Sequence, residues 1–137
     1  MIKFQLRKLG RDRIEETLEK KGIAAIVRKI EGEELLMAFR QKILEEAIEV
    51  TEAQSKDDII AELGDLVDVL ECFMEKCAIS KEQVDRVRAE KQRAFGTFRN
   101  GLYFDAFLVP DDSPYLQEYI DRPHKFHRIH EEEPIKE

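Results

Sequence analysis

The residues best suited to chemistry in this sequence are acidic and lie in two short clusters near the middle of the chain. They form the pattern Lys42-x-x-Glu45-Glu46-x-x-Glu49, followed after a gap of twelve residues by Glu62-x-x-Asp65. Positions three apart on an α-helix lie about 60° apart around its axis, so each cluster offers a carboxylate pair to one side. Converging carboxylates form a hard oxygen site, which suits Mg²⁺ or Mn²⁺ better than zinc. The pattern predicts a divalent-cation site if the two clusters meet.

Two long helices are needed to bring the clusters together. Residues 33–54 contain no Gly or Pro and have helical periodicity, and residues 56–77 form a second helical segment. The connector around Ser55 is very short, so we expect the two helices to be antiparallel neighbours. That arrangement would place the acidic pairs side by side.

The apolar pattern indicates which way these acids face. Glu46 falls inside the apolar stripe of the first long helix, where a carboxylate is costly unless it is paired or metal-bound. That stripe consists of Leu35, Leu36, Phe39, Ile43, Ala47 and Val50. A stripe on the second long helix consists of Ile59, Ile60, Leu63, Leu66, Val67, Leu70, Phe73 and Met74. Met37, Leu44 and Ile48 form another apolar patch on the far side of the first helix, which indicates an oligomeric bundle.

A simpler interpretation of the acidic residues stays open. Carboxylate pairs at this spacing are common on the solvated faces of charged helices. Asp68, one turn beyond Asp65, either extends the site or is a solvated or salt-bridged residue. Lys42 either contacts an anion or is an i,i+4 ion-pair partner of Glu46.

The remaining elements are shorter. Asp12 with Glu15 resembles an N-terminal cap for a helix that should run to about Lys21, and Ser80 with Gln83 fits a capping box that opens a helix to about Phe95. Three further segments are apolar. The pattern at residues 2–9 fits either a short strand or an extended arm, and the pattern at residues 23–30 fits either a strand or a packed loop. The pattern at residues 101–109 predicts a strand. We therefore predict an all-α domain over residues 1–110, with short terminal strands.

The chain turns polar after Pro110, and residues 111–137 predict a polar C-terminal tail. His124, His127 and His130 recur there every three residues, a pattern compatible with metal binding but more typical of a polar tail.

Composition excludes several classes of protein. No stretch of about 18 apolar residues exists, which predicts no membrane span, and the basic N-terminus lacks the apolar segment of a secretory signal. The two cysteines are too few for a disulfide scaffold, so we expect a reduced, cytoplasmic protein. Residues 1–30 carry nine basic and four acidic groups, whereas residues 31–76 carry four basic and fourteen acidic groups. That division does not suit binding of a nucleic-acid polymer, which needs one broad basic face.

The acidic pattern and its flanks resemble a known family. Glu45-Glu46-x-x-Glu49 followed by Glu62-Leu63-Gly64-Asp65 resembles the EExxE…ExxD signature of the MazG-like, all-α nucleoside triphosphate pyrophosphohydrolases. The segment from Lys8 to Ile14 is similar to the KLVRDKI-type opening of a house-cleaning branch related to phosphoribosyl-ATP pyrophosphohydrolase, although Gly10 and Arg13 replace Val and Lys. Residues 95–98 resemble the RGGF-type segment of that branch.

The resemblance implies a helical bundle, assembled as a homodimer or homotetramer, that hydrolyses a nucleoside triphosphate to a monophosphate and pyrophosphate with Mg²⁺ (or Mn²⁺). The metal ligands implied by motif position are Glu46, Glu49, Glu62 and Asp65. Glu45 would be a further site carboxylate, as an outer contact, a ligand to a second metal or a water-orienting base, and it joins Glu46 and Lys42 as a candidate catalytic residue. The candidate phosphate-binding residues are Lys8, Arg11, Arg13, Lys42, Lys91 and Arg93.

Two alternatives remain at this stage. One is the narrower activity on phosphoribosyl-ATP. The other is a non-catalytic helical oligomer that binds a nucleotide or a protein through the same acidic face.

Overall fold

The computed structural model describes residues 1–129, and within them all regular structure is helical. Five helices follow one another along the chain: α1 (Ile14–Glu19), α2 (Gly32–Glu52), α3 (Lys56–Lys76), α4 (Lys81–Phe95) and α5 (Leu116–Ile120). The prediction of an all-α fold is confirmed for this part of the chain. None of these helices combines the length and the apolar content that crossing a membrane requires.

The chain divides into two compact units, Met1–Lys91 and Gln92–Glu137. The second unit is described as far as residue 129, so His130 and the last residues of the predicted tail lie outside the described residues. The predicted division into residues 1–110 and 111–137 stays a prediction. Within the second unit Phe107, Tyr119 and Phe126 pack together, with ring centroids 4.9–5.7 Å apart.

The first unit is organised around the hairpin of α2 and α3. Ser55 begins α3 with a capping box: its side chain accepts a hydrogen bond from the Asp58 backbone N–H, and the Asp58 side chain accepts one from the Ser55 backbone. Because only residues 53–55 separate the helices, α3 turns back along α2. Phe39 of α2 faces Phe73 of α3, with ring centroids 6.1 Å apart. The predicted antiparallel pairing of the two long helices is confirmed.

The apolar stripe of α3 is only partly covered in the described structure. Of its predicted apolar stripe, Ile60, Leu63 and Val67 are 57%, 44% and 49% exposed. The face that turns toward α2 instead includes Glu62, Asp65 and the half-buried Phe73. Periodicity locates an apolar stripe, but it does not say which partner covers that stripe.

Two smaller predictions are wrong. The helix α1 begins at Ile14 after Arg13, without a side-chain cap, so Asp12 does not cap it. The strand predicted at 101–109 does not form, and residues 2–9 and 23–30 form no strand either, so their alternative interpretations as an arm and a loop stay open within the described part of the chain. A strand is stable only when a second strand satisfies its backbone hydrogen bonds, and these segments are irregular instead. By contrast, the predicted capping box at the start of α4 is confirmed, because Ser80 and Gln83 exchange two hydrogen bonds, of 2.7 and 3.1 Å.

Candidate functional site

The α2–α3 hairpin brings all five predicted carboxylates into one cluster. One oxygen each from Glu45, Glu46 and Glu49 lies within 4.8 Å of the others, and the same holds for Glu46, Glu62 and Asp65. Glu46 belongs to both groups and therefore joins the acids of α2 to those of α3. We call these five residues the acidic cluster.

Glu46 is the most unusual member of the acidic cluster because it is 3% exposed. Its Oε1 lies 2.6 Å from Lys42 Nζ, one helical turn earlier. Its Oε2 is buried and has no hydrogen-bond partner among the described residues. Leaving a buried carboxylate oxygen unpaired is costly, so such an atom in a folded protein indicates a missing partner. The Glu46 carboxyl group also lies within 4.8 Å of further carboxylates, where a cation would supply the missing partner.

Lys42 is the cation nearest to the buried acid. Its ammonium group pairs with Glu46 and also lies 3.2 Å from Glu45 Oε1. Partial burial opposes the charged form of Lys42, but the hydrogen bonds to Glu46 and Glu45 outweigh it and raise the pKa of the amine. The i,i+4 interpretation of Lys42 is confirmed, and its contact with a phosphate stays a prediction.

Two further cations reach the acidic cluster from the chain before α1. Lys8 Nζ lies 2.6 Å from Glu45 Oε1. Arg11 donates from Nη2 to Asp65 Oδ1 at 2.5 Å and from Nη1 to Asp68 Oδ2 at 2.9 Å. Asp68 is therefore salt-bridged, which was one of its two interpretations.

These contacts shift the ionisation of both partners. The hydrogen bond from Lys8 outweighs partial burial and lowers the pKa of the Glu45 carboxyl. The hydrogen bonds from Arg11 to Asp68 and Asp65 raise the pKa of the guanidinium. Glu45 therefore stays ionised to a lower pH than an ordinary carboxyl group, and Arg11 keeps its charge.

Glu49 behaves in the opposite way. The pKa of its carboxyl is raised, first by the close approach of the Glu46 carboxyl group, then by loss of water, and then by the negative charges of Glu46, Glu62 and Glu45. No cation pairs with Glu49 in residues 1–129. Glu49 is therefore repelled by the neighbouring carboxylates, and no basic side chain in the described residues offsets that repulsion.

The donor set fits a hard divalent cation. Every atom that the acidic cluster offers is a carboxylate oxygen, which is the ligand type that Mg²⁺ and Mn²⁺ prefer and that zinc sites rarely use alone. A positive ion bound at the acidic cluster would give Glu46 Oε2 a partner. It would also offset the negative charge around Glu49. The residues present are therefore suited to the cation that the resemblance implies.

Two other predicted phosphate-binding residues of the first unit have different neighbours. Arg13 is 3.7 Å from Glu16 on α1, and Lys91 lines a shallow groove on α4 beside Val87 and Arg88. Neither makes an ion pair with the acidic cluster within the described range 1–129. Arg93 belongs to the second unit, in the last turn of α4. Their predicted contact with a substrate stays a prediction.

No protein-family model matches this chain, and no curated protein or solved structure matches it either.

Proposed function

We propose that this chain is a divalent-cation-dependent hydrolase that cleaves a nucleoside triphosphate, ordinary or modified, to a nucleoside monophosphate and pyrophosphate. The observation that carries the proposal is Glu46, a buried carboxylate with one unpartnered oxygen at the centre of four other carboxylates. The resemblance of the EExxE…ExxD pattern to MazG-like pyrophosphohydrolases supplies the reaction class.

The cation would be held by Glu46 and Glu49 from α2 and by Glu62 and Asp65 from α3. When bound, such a cation neutralises phosphate charge and lowers the pKa of a coordinated water. Basic side chains of the protein also help to neutralise the phosphate charge. Lys42 is fixed beside Glu46, and a positive side chain there favours the negative charge that a triphosphate brings.

Glu45 is the best-placed residue to orient the attacking water. Its Oε1 is engaged by Lys42 of the same helix, which holds the carboxylate in one position. Its Oε2 can then accept a hydrogen bond from a water molecule. Hydrolysis adds that water across the α–β phosphoanhydride bond: a new P–O bond forms to the water oxygen, the bridging P–O bond breaks with pyrophosphate as the leaving group, and the proton of the water passes to solvent.

Lys8 and Arg11 are the proposed phosphate contacts on the other side of the acidic cluster. An Arg guanidinium suits bidentate contact with a phosphate, whereas a Lys ammonium acts as a mobile point charge. Both residues already lie at the edge of the acidic cluster, on Glu45 and Asp65, which is where the charged end of a substrate would have to enter.

We also propose that the α2–α3 hairpin belongs to an oligomeric MazG-like bundle. Apolar side chains remain exposed on both helices, including Met37 (57%), Leu44 (63%) and Ile60 (57%). Among the described residues Phe39 is the one apolar side chain classed as buried. Apolar helix faces of this kind are typical of subunit interfaces.

Pyrophosphate release from a panel of ordinary and modified nucleoside triphosphates, with phosphoribosyl-ATP included, tests the activity. We expect release from at least one substrate with Mg²⁺ and none with a chelator. Glu46→Gln should lower the rate by more than about 100-fold and abolish Mg²⁺ binding, since loss of a ligand exceeds the effect of losing an outer contact.

The matched control is Glu52→Gln, which removes an exposed acid from the same helix outside the acidic cluster. This variant should keep wild-type activity. Equal activity in Glu46→Gln would contradict the site assignment. Mg²⁺ binding without turnover of any substrate would instead favour the non-catalytic alternative, and release from phosphoribosyl-ATP alone would favour the narrower enzyme.

A further inference from the structure

Two basic side chains of the N-terminal arm (residues 1–11) form ion pairs with residues of the acidic cluster that are distant in sequence. Lys8 contacts Glu45 across 37 residues, and Arg11 contacts Asp65 across 54 residues. We propose that the arm is an internal counter-ion of the acidic cluster, which a divalent cation displaces, so that cation binding releases Lys8 and Arg11 for the substrate.

The arm and the cation compete for the same acids. Arg11 binds an oxygen of Asp65, and Asp65 is one of the residues that meet at Glu46. A guanidinium 2.5 Å from a carboxylate that also holds a doubly charged ion would be strongly repelled by that ion. Lys8 pairs with Glu45, whose oxygen lies within 4.8 Å of oxygens of the proposed ligands Glu46 and Glu49, so the cation would repel Lys8 as well. The two positively charged partners are therefore alternatives.

The ion pairs are the strongest attachment of the arm. Phe4 and Leu6 are 81% and 70% exposed, and no strand pairing holds residues 2–9 in the described structure. Leu9 is half-buried between the two basic residues. Because so little apolar surface of the arm is covered, loss of the ion pairs should free it.

The ion pairs are also weak enough to be displaced. The side chains of Lys8 and Arg11 are 46% and 62% exposed, and ion pairs in contact with water contribute little and are screened by salt. Arg11 would keep its contact with Asp68, which is outside the acidic cluster, but that carboxylate is 57% exposed and offers one hydrogen bond. A cation held by four carboxylates should prevail over such contacts.

The inference rests on the proposed function, because it requires a cation at the acidic cluster, and it adds an order of events. Before the cation binds, Lys8 and Arg11 are occupied by protein carboxylates. After it binds, the same groups are free to contact phosphate oxygens. The nucleotide should therefore bind productively only after a cation occupies the acidic cluster.

The affinity for Mg²⁺ and Mn²⁺, measured by calorimetry without nucleotide, is the first test. Arg11→Gln removes the competitor, and we expect the dissociation constant to fall by about three- to fivefold, the size expected for exposed ion pairs. Arg13→Gln is the matched control, since Arg13 lies two residues away and pairs with Glu16 instead. It should leave the dissociation constant unchanged. Unchanged or weaker binding in Arg11→Gln would overturn the competition.

Tryptic cleavage of the bond between Lys8 and Leu9 is the second test, and the wild-type protein suffices for it. We expect Mg²⁺ to speed this cleavage, because it frees the arm. In Glu46→Gln, which keeps both arm contacts but lacks the buried ligand, Mg²⁺ should have no effect on the rate. In Arg11→Gln, cleavage should already be fast without Mg²⁺.

The outcomes separate this inference from the proposed function. Mg²⁺ binding to the wild-type protein with no change in cleavage at Lys8 would overturn the release of the arm and leave the cation site intact. Failure of both the wild-type protein and Arg11→Gln to bind Mg²⁺ or Mn²⁺ would overturn both proposals.

Discussion

At the scale of single residues, the acidic cluster is divided into compensated and uncompensated charges. Glu45 faces Lys8 and Lys42, whereas Glu49 lies among like charges. The pKa of the Glu45 carboxyl is accordingly lowered and that of Glu49 is raised. Because the pKa of Glu49 is raised, we expect the free energy of unfolding without metal to depend on pH. Substitution of Glu49 should remove this dependence.

In the folded chain Glu49 titrates above the ordinary carboxyl value of about 4.3. At pH values between the ordinary pKa of the unfolded chain and the raised pKa of the folded chain, the folded state holds more protons than the unfolded state. The free energy of unfolding therefore falls as pH rises through that interval. Glu49→Gln should remove this fall. In chelator at pH 7–8 we expect the variant to be more stable by about 0.2–0.5 kcal/mol, the size of a like-charge pair on a helix, with no difference below about pH 4.

Urea denaturation at a series of pH values in chelator measures this effect. Glu52→Gln should follow the wild-type pH dependence, since Glu52 lies outside the acidic cluster. A lower stability of Glu49→Gln at neutral pH would show that Glu49 makes a favourable contact rather than a repulsive one.

Single residues also show how much of the site can be predicted from the sequence. The inward position of Glu46 was predictable, because helical periodicity places it in the stripe with Phe39, and these two are the buried residues of α2. The contacts of Lys8 and Arg11 with specific acids were not, because they depend on the path of an irregular segment between distant positions. No local pattern encodes such a path.

At the scale of elements, the start of α3 determines where half of the acidic cluster lies. Ser55 fixes the first turn of α3 through its capping box, and Glu62 and Asp65 follow two and three turns later. The bounds of both long helices were predicted to within two residues, because each has strong periodicity and α3 has a capping signal. The strand predicted at 101–109 does not form, because the residue pattern carries no information about a pairing partner.

Loss of this cap should affect both stability and the site. Ser55→Ala should lower the free energy of unfolding by about 1 kcal/mol, the ordinary value of an N-cap side chain. It should also weaken Mg²⁺ binding, because fraying of the first turn of α3 disturbs the position of Glu62.

The matched control for the cap is Ser80→Ala, which removes the equivalent residue of α4. Chemical denaturation and calorimetry should show a similar loss of stability in this variant with no change in Mg²⁺ affinity. Equal Mg²⁺ affinity in both variants would separate the cap of α3 from the geometry of the acidic cluster.

At the scale of the whole molecule, the exposed apolar faces of α2 and α3 are the main feature that the isolated chain leaves unexplained. Leu44 and Ile48 lie on the far side of α2 from the acidic cluster and are 63% and 46% exposed. The sequence predicted this second apolar patch of α2, because it is separate from the core stripe. The sequence also shows the stripe of α3, but the number of apolar faces does not reveal which of them meet another subunit.

We predict that light scattering at tens of micromolar protein will give a mass that is a multiple of the 16.1 kDa chain. Leu44→Asp should shift the protein toward the mass of one chain, because it places a charge in an apolar contact. Ile26→Asp is the control, since Ile26 is also exposed, at 85%, but lies in an irregular segment outside the helices. A single-chain mass for the wild-type protein would contradict the bundle.

The short connector between α2 and α3 has a consequence for folding and evolution. All five members of the acidic cluster lie within residues 45–65, so their contacts have low contact order and form as soon as one local hairpin closes. Such a site can appear early in folding, before distant parts of the chain are in place. It should tolerate insertion outside the hairpin, whereas a change in chain length within residues 45–65 would alter the register of the two helices and separate Glu46 from Asp65.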